Sequence, residues 1–421
     1  MKGDWLAVFE ALRDCYVDEA FSNIAINEAV ENHRDCSSGF VRAFTKGVLR
    51  DSLKLDYYID RLADKGIKGI KNRTLIILRM GLYAIESLDS VPDHAAVNEA
   101  VALAKKTSKG SDRFINALLR RFLRERHTIA VPTDNLSLKY SFPGELVELL
   151  KEQYGEDTEM LLKALNTAPE LIVRTNLLKI SREELMAHFE EDGISCSPCE
   201  GSESAIIVRG GQVVGTSMFH QGLFAVQSLS SIRSIEALRP VPGSRVLDMC
   251  AAPGGKTCAM AELMNNAGSI TACDIHPHRL ELIQATAARL GADIIETELL
   301  DGTVRRDDFD EVFDFVLADV PCSGLGVIGS KPELKLRTNP SEYINLTEIQ
   351  KAIIDNAYEY LKPGGRMMYS TCTINKAENE EAIERFKQDH RFAEIVEKCL
   401  ILPYNNTLVG FFYCLIDKPL K

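Results

Sequence analysis

The sequence predicts a multidomain chain in three parts: an all-α region over residues 1–130, a small α+β module over 131–238, and an α/β domain with a Rossmann-like parallel sheet over 239–421. Three observations predict it. From Trp5 to about Arg126 the chain shows only helical periodicity. The middle stretch interleaves short apolar runs with one well-capped helix. Beyond residue 239, apolar runs that end in small or acidic residues alternate with helical stretches, the pattern of parallel strands whose carboxyl ends share one sheet edge.

In the first region Ile115, Leu118, Leu119, Phe122 and Leu123 follow the i, i+3, i+4 spacing of a helix with one apolar face, as do Leu75, Leu78, Arg79 and Leu82 less cleanly. Between residues 105 and 126, Lys105, Lys106, Lys109, Arg113, Arg120, Arg121, Arg124 and Arg126 face only Asp112 and Glu125. Such a basic face suits RNA, and equally suits water. Residues 128–135, polar and broken by Pro132, read as a linker.

After a helical stretch over 145–166, residues 171–176 read as a strand and 205–208 as another. Ser181-Arg182-Glu183-Glu184 is a capping box that opens a helix running to about Asp192, with Gly193 as its stop. Cys196-Ser197-Pro198-Cys199 has neither a second pair nor a histidine partner, so no metal site is expected.

The third region is organised around Arg245-Val246-Leu247-Asp248-Met249-Cys250-Ala251-Ala252-Pro253-Gly254-Gly255-Lys256-Thr257. Residues 246–249 read as a buried strand. Gly254 and Gly255 let backbone approach a ligand, and the helix beginning near Lys256 aims its N–H groups there. The spacing is neither G-x-G-x-x-G nor that of a P-loop, which disfavours dinucleotides and nucleoside triphosphates. Further strands are predicted over 269–274, ending in Asp274; over 293–300, before Asp301; over 313–318, before Asp319-Val320-Pro321-Cys322; and over 366–370, before Thr371-Cys372. An acid about twenty residues past the loop can accept from ribose hydroxyls.

Together C-A-A-P-G-G-K-T, D-x-P-C-S and S-T-C resemble the RNA (cytosine-5)-methyltransferase family, which uses S-adenosylmethionine. The resemblance covers nearly the whole chain. Residues 91–101 and 113–119 are similar to the NusB fold, an RNA-binding helical bundle, and Arg174 and Asn176 match an R-x-N motif of the family's small RNA-binding module. The implied substrate is a cytosine of 16S ribosomal RNA, flipped out or single-stranded. A transfer RNA cytosine is the alternative within this chemistry, and a non-catalytic RNA-binding assembly factor the alternative outside it.

Carbon 5 of cytosine is a poor nucleophile until a thiolate adds at carbon 6, so the reaction requires a cysteine. Cys322 and Cys372 both end predicted strands, and chemistry alone does not choose between them. The resemblance assigns the nucleophile to Cys372 and assistance in elimination and release to Cys322. Asp319 is placed to protonate ring nitrogen 3, a task that calls for its neutral form and so for a raised pKa. Lys256 would favour the thiolate by its charge. For the cofactor, the resemblance assigns Cys250, Ala251, Ala252, Pro253, Gly254, Gly255 and Lys256 to the methionine part, Asp274 to the ribose and Asp301 to the adenine edge, with Asp319 beside them. Residues 331–337, Lys331-Pro332-Glu333-Leu334-Lys335-Leu336-Arg337, match a basic loop of the family and are expected to meet phosphates.

Two positions depart from the family. Ser228 stands where an acid is usual, and Val409 where an acid commonly precedes Gly-Phe-Phe in what reads as the last strand of an antiparallel pair.

Composition sets the outer bounds. A net charge of −12 argues against a protein that coats nucleic acid indiscriminately. Eleven cysteines, an odd number scattered along the chain, form no disulfide framework. No apolar run reaches eighteen residues and the N-terminal residues lack a signal-peptide pattern, so a cytoplasmic protein without membrane contact is expected; a monomer is expected too, although the sequence does not fix the oligomeric state.

Overall fold

Helices alone build the first part of the computed structural model, whose described residues are 2–337, 340–405 and 407–420. They are α1 (Lys2–Val17), α2 (Ser22–Asn32), α3 (Ser38–Arg50), α4 (Ser52–Leu62), α5 (Asn72–Ser87), α6 (Asp93–Thr107), α7 (Asp112–Glu125), α8 (Leu136–Tyr140), α9 (Gly144–Tyr154) and α10 (Thr158–Leu165). The apolar stripe expected on α7 is present: Ile115, Leu118, Leu119 and Phe122 are buried, while Arg113, Arg120 and Arg124 are exposed. The stripe packs into a core that holds Trp5, Phe44, Ile77 and Leu82, with the Trp5 and Phe44 rings edge to face at 5.1 Å. Each such side chain contributes roughly 1.5–3 kcal/mol by leaving water.

Contacts divide the chain into one unit of Met1–Asn166 with Ser330–Thr338 and a second of Thr167–Gly329 with Asn339–Lys421. The first compact unit therefore runs on past residue 131 to Asn166. The reason is local: Ser141 Oγ accepts from Leu53 N at 3.0 Å and Asn166 Nδ2 donates to the Tyr140 carbonyl at 2.6 Å, which fastens α8–α10 to α4. The small module and the α/β domain share the second unit.

That unit opens with β1 (Leu171–Thr175), α11 (Arg182–Glu191), β2 (Ser195–Pro198), β3 (Ala205–Arg209), α12 (Ser217–His220) and β4 (Phe224–Val226). The strands form an antiparallel sheet in the order β2-β3-β1-β4, with Val173 opposite Ile206. The capping box on α11 is formed: Ser181 Oγ accepts from Glu184 N while Ser181 N donates to Glu184.

The larger sheet follows: α13 (Leu229–Leu238), β5 (Arg245–Asp248), α14 (Gly255–Leu263), β6 (Ser269–Asp274), α15 (Pro277–Leu290), β7 (Ile295–Leu299), β8 (Phe313–Asp319), α16 (Pro340–Tyr360), β9 (Leu361–Thr371), α17 (Glu380–Asp389), β10 (Glu394–Ile401) and β11 (Phe411–Asp417). Its order is β10-β11-β9-β8-β5-β6-β7. The strands from β7 to β9 are parallel, and β11 runs antiparallel between β9 and β10. Strand order reverses between β5 and β8, the place where open α/β sheets bind ligands at their carboxyl ends. Among the described residues no helix is long and apolar enough to cross a membrane.

Candidate active site

The loop after β5 is built from small residues because backbone must pass close to α15. Gly254 has φ +97°, a left-handed value that favours glycine, and a Cβ there would lie 3.2 Å from the Ile283 Cα. Ala251 N donates to the Cys273 carbonyl at 2.8 Å, so the loop is held by the neighbouring strand β6. From below, Thr257 Oγ1 donates to Asp248 Oδ2 at 2.7 Å. Burial pushes the Asp248 carboxyl up to about 7 against the pull of that hydrogen bond.

Ala251 and Gly254 are buried, Ala252, Gly255 and Lys256 half-buried, and Pro253 exposed. Cys250 is a packed thiol, held well above its ordinary pKa first by burial and then by the nearby charges of Asp248, Asp319 and Asp274. Asp274 ends β6, buried, with Oδ1 accepting from His276 N at 3.0 Å. Asp301 follows β7, its Oδ1 accepting from Thr303 N at 3.0 Å and Thr303 Oγ1 at 2.6 Å. A glycine cradle that a Cβ would crowd, with carboxylates ending the adjacent strands, fits a ligand carrying hydroxyl and amino donors.

On the other side of β5 the strand ends bring the reactive groups together. Asp319 ends β8 and pairs in register with Ser370 of β9. Asp319 Oδ1 accepts from Ser370 Oγ at 2.7 Å and Oδ2 from Lys256 Nζ at 2.6 Å. Both carboxylate oxygens of Asp319 are thus engaged by donors, one from β9 and one from the helix after the glycine loop. Burial works against the Lys256 ammonium, yet the charge and hydrogen bond of Asp319 outweigh it and hold Lys256 above its ordinary pKa, with Cys372 adding to the effect. Lys256 Nζ also lies 5.3 Å from the centre of the buried Phe411 ring.

Cys322 Sγ and Cys372 Sγ are 3.3 Å apart. The hydrogen bond to Cys372, reinforced by burial, holds the Cys322 thiol well above its usual range. Either sulfur can donate across this contact. The structure brings Lys256, Asp319, Cys322 and Cys372 into one cluster, with the glycine loop on the same sheet edge.

Several supporting groups carry no signal in the sequence. The buried carboxylate of Glu378 accepts from Ser323 N at 2.9 Å, Ser323 Oγ at 2.5 Å, Gln350 Nε2 at 3.0 Å and Asn375 Nδ2 at 2.9 Å. Ser323 Oγ is also 2.7 Å from Thr373 Oγ1, and Gln350 Nε2 donates to the Pro321 carbonyl at 2.9 Å. Behind Cys372, Gly326 N donates to the Cys372 carbonyl at 3.0 Å and Gly410 N to the Gly326 carbonyl at 2.8 Å. A Cβ on Gly326 would fall 2.1 Å from the Gly410 oxygen. No motif announces either arrangement, since each is assembled from residues far apart in the chain.

Arg174 and Asn176, the two residues of the R-x-N motif, are both buried. Arg174 Nε and Nη2 bind Glu262 at 3.0 and 2.7 Å, and Nη1 donates to Gln227 and to the Gly255 carbonyl. Asn176 Nδ2 donates to the Gly222 and Leu290 carbonyls. In the segment over 331–337, Lys331 is exposed and Arg337 half-buried. Glu333 and Lys335 are buried in the helical unit, where Glu333 accepts from Ser22 N at 2.9 Å and Lys335 Nζ sits 4.3 Å from the Phe142 ring centre and 3.0 Å from Asn166 Oδ1. Ser228 caps α13 through its side chain, a role an aspartate fills equally well, so the departure leaves the cap intact. Val409 is buried, and its carbonyl accepts from Ser230 Oγ at 2.8 Å.

Comparison with known proteins agrees with this architecture. Residues 235–408 match a family model described as 16S rRNA methyltransferase RsmB/F, residues 6–124 match the NusB family, and residues 142–214 match a Methyltr_RsmF/B-like, ferredoxin-like domain. The chain is 35% identical to the probable ribosomal RNA small subunit methyltransferase B of Bacillus subtilis, over 97% of each chain. It is 36% identical to the probable ribosomal RNA small subunit methyltransferase B of a Synechocystis strain, over 91% of this chain and 88% of the relative. Among solved structures, PH0851 superposes with a TM-score of 0.89 at 26% identity, over 99% of each chain. The helical part is thus a NusB domain, the small sheet a ferredoxin-like domain, and the large sheet a Rossmann-like methyltransferase domain.

Proposed function

We propose, from the premise that this chain belongs to the ribosomal RNA small subunit methyltransferase B family, that it methylates carbon 5 of a cytosine in 16S ribosomal RNA using S-adenosylmethionine. The observation that carries the reading is the cluster of two thiols 3.3 Å apart beside a lysine–aspartate pair, at the edge of a glycine loop. An amino-group methyltransferase has no use for the thiols.

When bound, S-adenosylmethionine supplies a methyl group on a sulfonium; residues 250–256 would hold its methionine part, Asp274 its ribose and Asp301 its adenine edge. The remaining work falls to this chain's own residues. The Cys372 thiolate, favoured by the Lys256 charge, adds to carbon 6 of the cytosine. As electron density moves toward ring nitrogen 3, a proton passes from the Lys256 ammonium through the Asp319 carboxyl to that nitrogen, so the ion pair serves as a proton reserve and the neutral acid exists only transiently. Carbon 5, now electron-rich, takes the methyl group.

Release reverses the addition. The C5–H proton passes to water and its electron pair re-forms the C5–C6 double bond. The C6–S bond breaks with its electrons on Cys372, nitrogen 3 returns its proton through Asp319 to Lys256, and Cys322 protonates the departing sulfur along the contact already present. Water then restores the Cys322 proton. Cys372 is the nucleophile in this reading and Cys322 the acid for its departure.

The test is transfer of labelled methyl from S-adenosylmethionine to unmodified small-subunit RNA, with the modified base mapped. Cys372→Ala should abolish transfer, and Cys322→Ala should accumulate RNA covalently attached to protein. No transfer by wild type to ribosomal RNA would overturn the reading.

A further inference from the structure

The two reactive thiols lie on separate loops, one after β8 and one after β9, and a mechanism that passes a proton between their sulfurs needs those loops held in register. Backbone pairing stops at Asp319 and Ser370. Beyond that point the loops are joined by Glu378, which lies on neither strand and is fully buried. One oxygen of its carboxylate takes the Ser323 N–H and the Gln350 amide, and the other takes the Ser323 hydroxyl and the Asn375 amide. Ser323 adjoins Cys322, and its hydroxyl reaches Thr373, the neighbour of Cys372. Gln350 holds Pro321 on the other flank of Cys322. The backbone carbonyl of Glu378 is fixed in turn by Tyr369 Oη at 2.6 Å.

We propose that Glu378 is a positioning residue for product release, holding the Cys322 loop against the Cys372 loop so that the second thiol reaches the departing sulfur. The proposal rests on the cytosine-5 reading above. Four hydrogen bonds converge on one carboxylate, and no uncharged side chain can accept all of them. A glutamine offers a single acceptor oxygen, and its own N–H₂ must face the donors that the second carboxylate oxygen received. The negative charge of Glu378 also adds to what keeps Cys322 protonated. The cofactor residues that follow β5, β6 and β7 make none of these contacts, so S-adenosylhomocysteine affinity is expected to be unchanged when the link is cut.

Full-length wild type, Glu378→Gln and Ser323→Ala are compared with small-subunit RNA. S-adenosylhomocysteine affinity serves as the control for an intact cofactor side. In Glu378→Gln the first methyl transfer is expected to change by less than about threefold while repeated turnover falls by about tenfold or more, with covalent RNA–protein adduct accumulating on natural RNA. Ser323→Ala, which deletes one small hydroxyl from the same link, is expected to show the same split to a lesser degree. It decides the matter if Glu378→Gln does not fold. Repeated turnover within about twofold of wild type in the folded variants, or equal loss of first and later turnovers, overturns the positioning role. Trapping wild type on 5-fluorocytosine RNA separates the two levels of inference, because failure of wild type to form any adduct removes the cytosine-5 reading itself.

Discussion

Arg174 Nη1 donates to the carbonyl of Gly255 at 2.9 Å, joining β1 of the small sheet to the first residue of the helix that follows the glycine loop. The same guanidinium forks onto Glu262, about two turns further along the same helix, with both side chains almost fully buried. Removing the arginine alone would leave a buried carboxylate without its cation. Arg174→Ala is expected to cost about 3–5 kcal/mol and to weaken S-adenosylhomocysteine binding through the Gly255 contact. Arg174→Met combined with Glu262→Leu should regain most of the stability, though not the grip on Gly255. Urea unfolding and calorimetric titration of the three proteins check both parts.

The Lys256–Asp319 pair makes a prediction with a definite sign in pH. Lys256 is held above its ordinary pKa in the folded protein. Its contribution is therefore fully present below the unfolded lysine value of about 10.4 and is lost only as pH rises through the higher folded value. The stability difference between wild type and Lys256→Met should stay constant from neutral pH to about 10 and shrink above it. Lys256→Met should also lower kcat by roughly 10²–10³-fold, since both thiolate activation and the proton reserve are lost. A variant with near-normal kcat would exclude both roles.

Gly326 is predicted to be intolerant of even one methyl group. A Cβ there meets the Gly410 oxygen at 2.1 Å and the Cys372 oxygen at 2.8 Å, both of them backbone atoms that cannot swing aside. Gly326→Ala should displace Cys372 and reduce methyl transfer by about 10²-fold, as expected for a shift of the order of 1 Å in a reacting group. Methyl transfer at the wild-type rate by a folded Gly326→Ala would contradict the geometry.

Lys335 gives a pH effect of opposite direction, in the helical unit. Burial lowers its pKa to about 7, with Asp51 opposing the shift. Between that value and the ordinary lysine value the unfolded chain binds more protons than the folded one, so this group makes the unit more stable as pH rises from about 7 to 10. Lys335→Met should remove that rise. Chemical denaturation followed at pH 7 and pH 9.5 measures it, and an equal pH response in both proteins would count against the buried amine.

The strands that carry chemistry were legible because each one ends in a residue whose type is informative: Asp274, Asp319, Cys372. Local patterns also read correctly, such as the apolar stripe of α7 and the capping box at Ser181. What the sequence did not disclose is long-range. Glu378 lies six positions past Cys372 with no local mark, and its partners come from the loop after β8, from α16 and from the turn beside it. Arg174 looks like a surface arginine until the fold supplies Glu262, eighty-eight positions away. Lys335 misled for the same reason, since a lysine in a polar stretch is ordinarily solvated, and here a phenylalanine ring, an asparagine oxygen and Asp51 take the place of water.

The segment Ser330–Thr338 belongs to the helical unit although most of that unit ends at Asn166. On the ribosome, the helices emerge first and must then wait while the ferredoxin-like domain and four strands of the large sheet, β5 to β8, are synthesised. Only afterwards do Glu333 and Lys335 arrive at Ser22 and Phe142. The N-terminal domain is thus the first to begin folding and cannot be finished until residue 338 has left the exit tunnel, which ties completion of the NusB domain to synthesis of the Cys322 loop just before it.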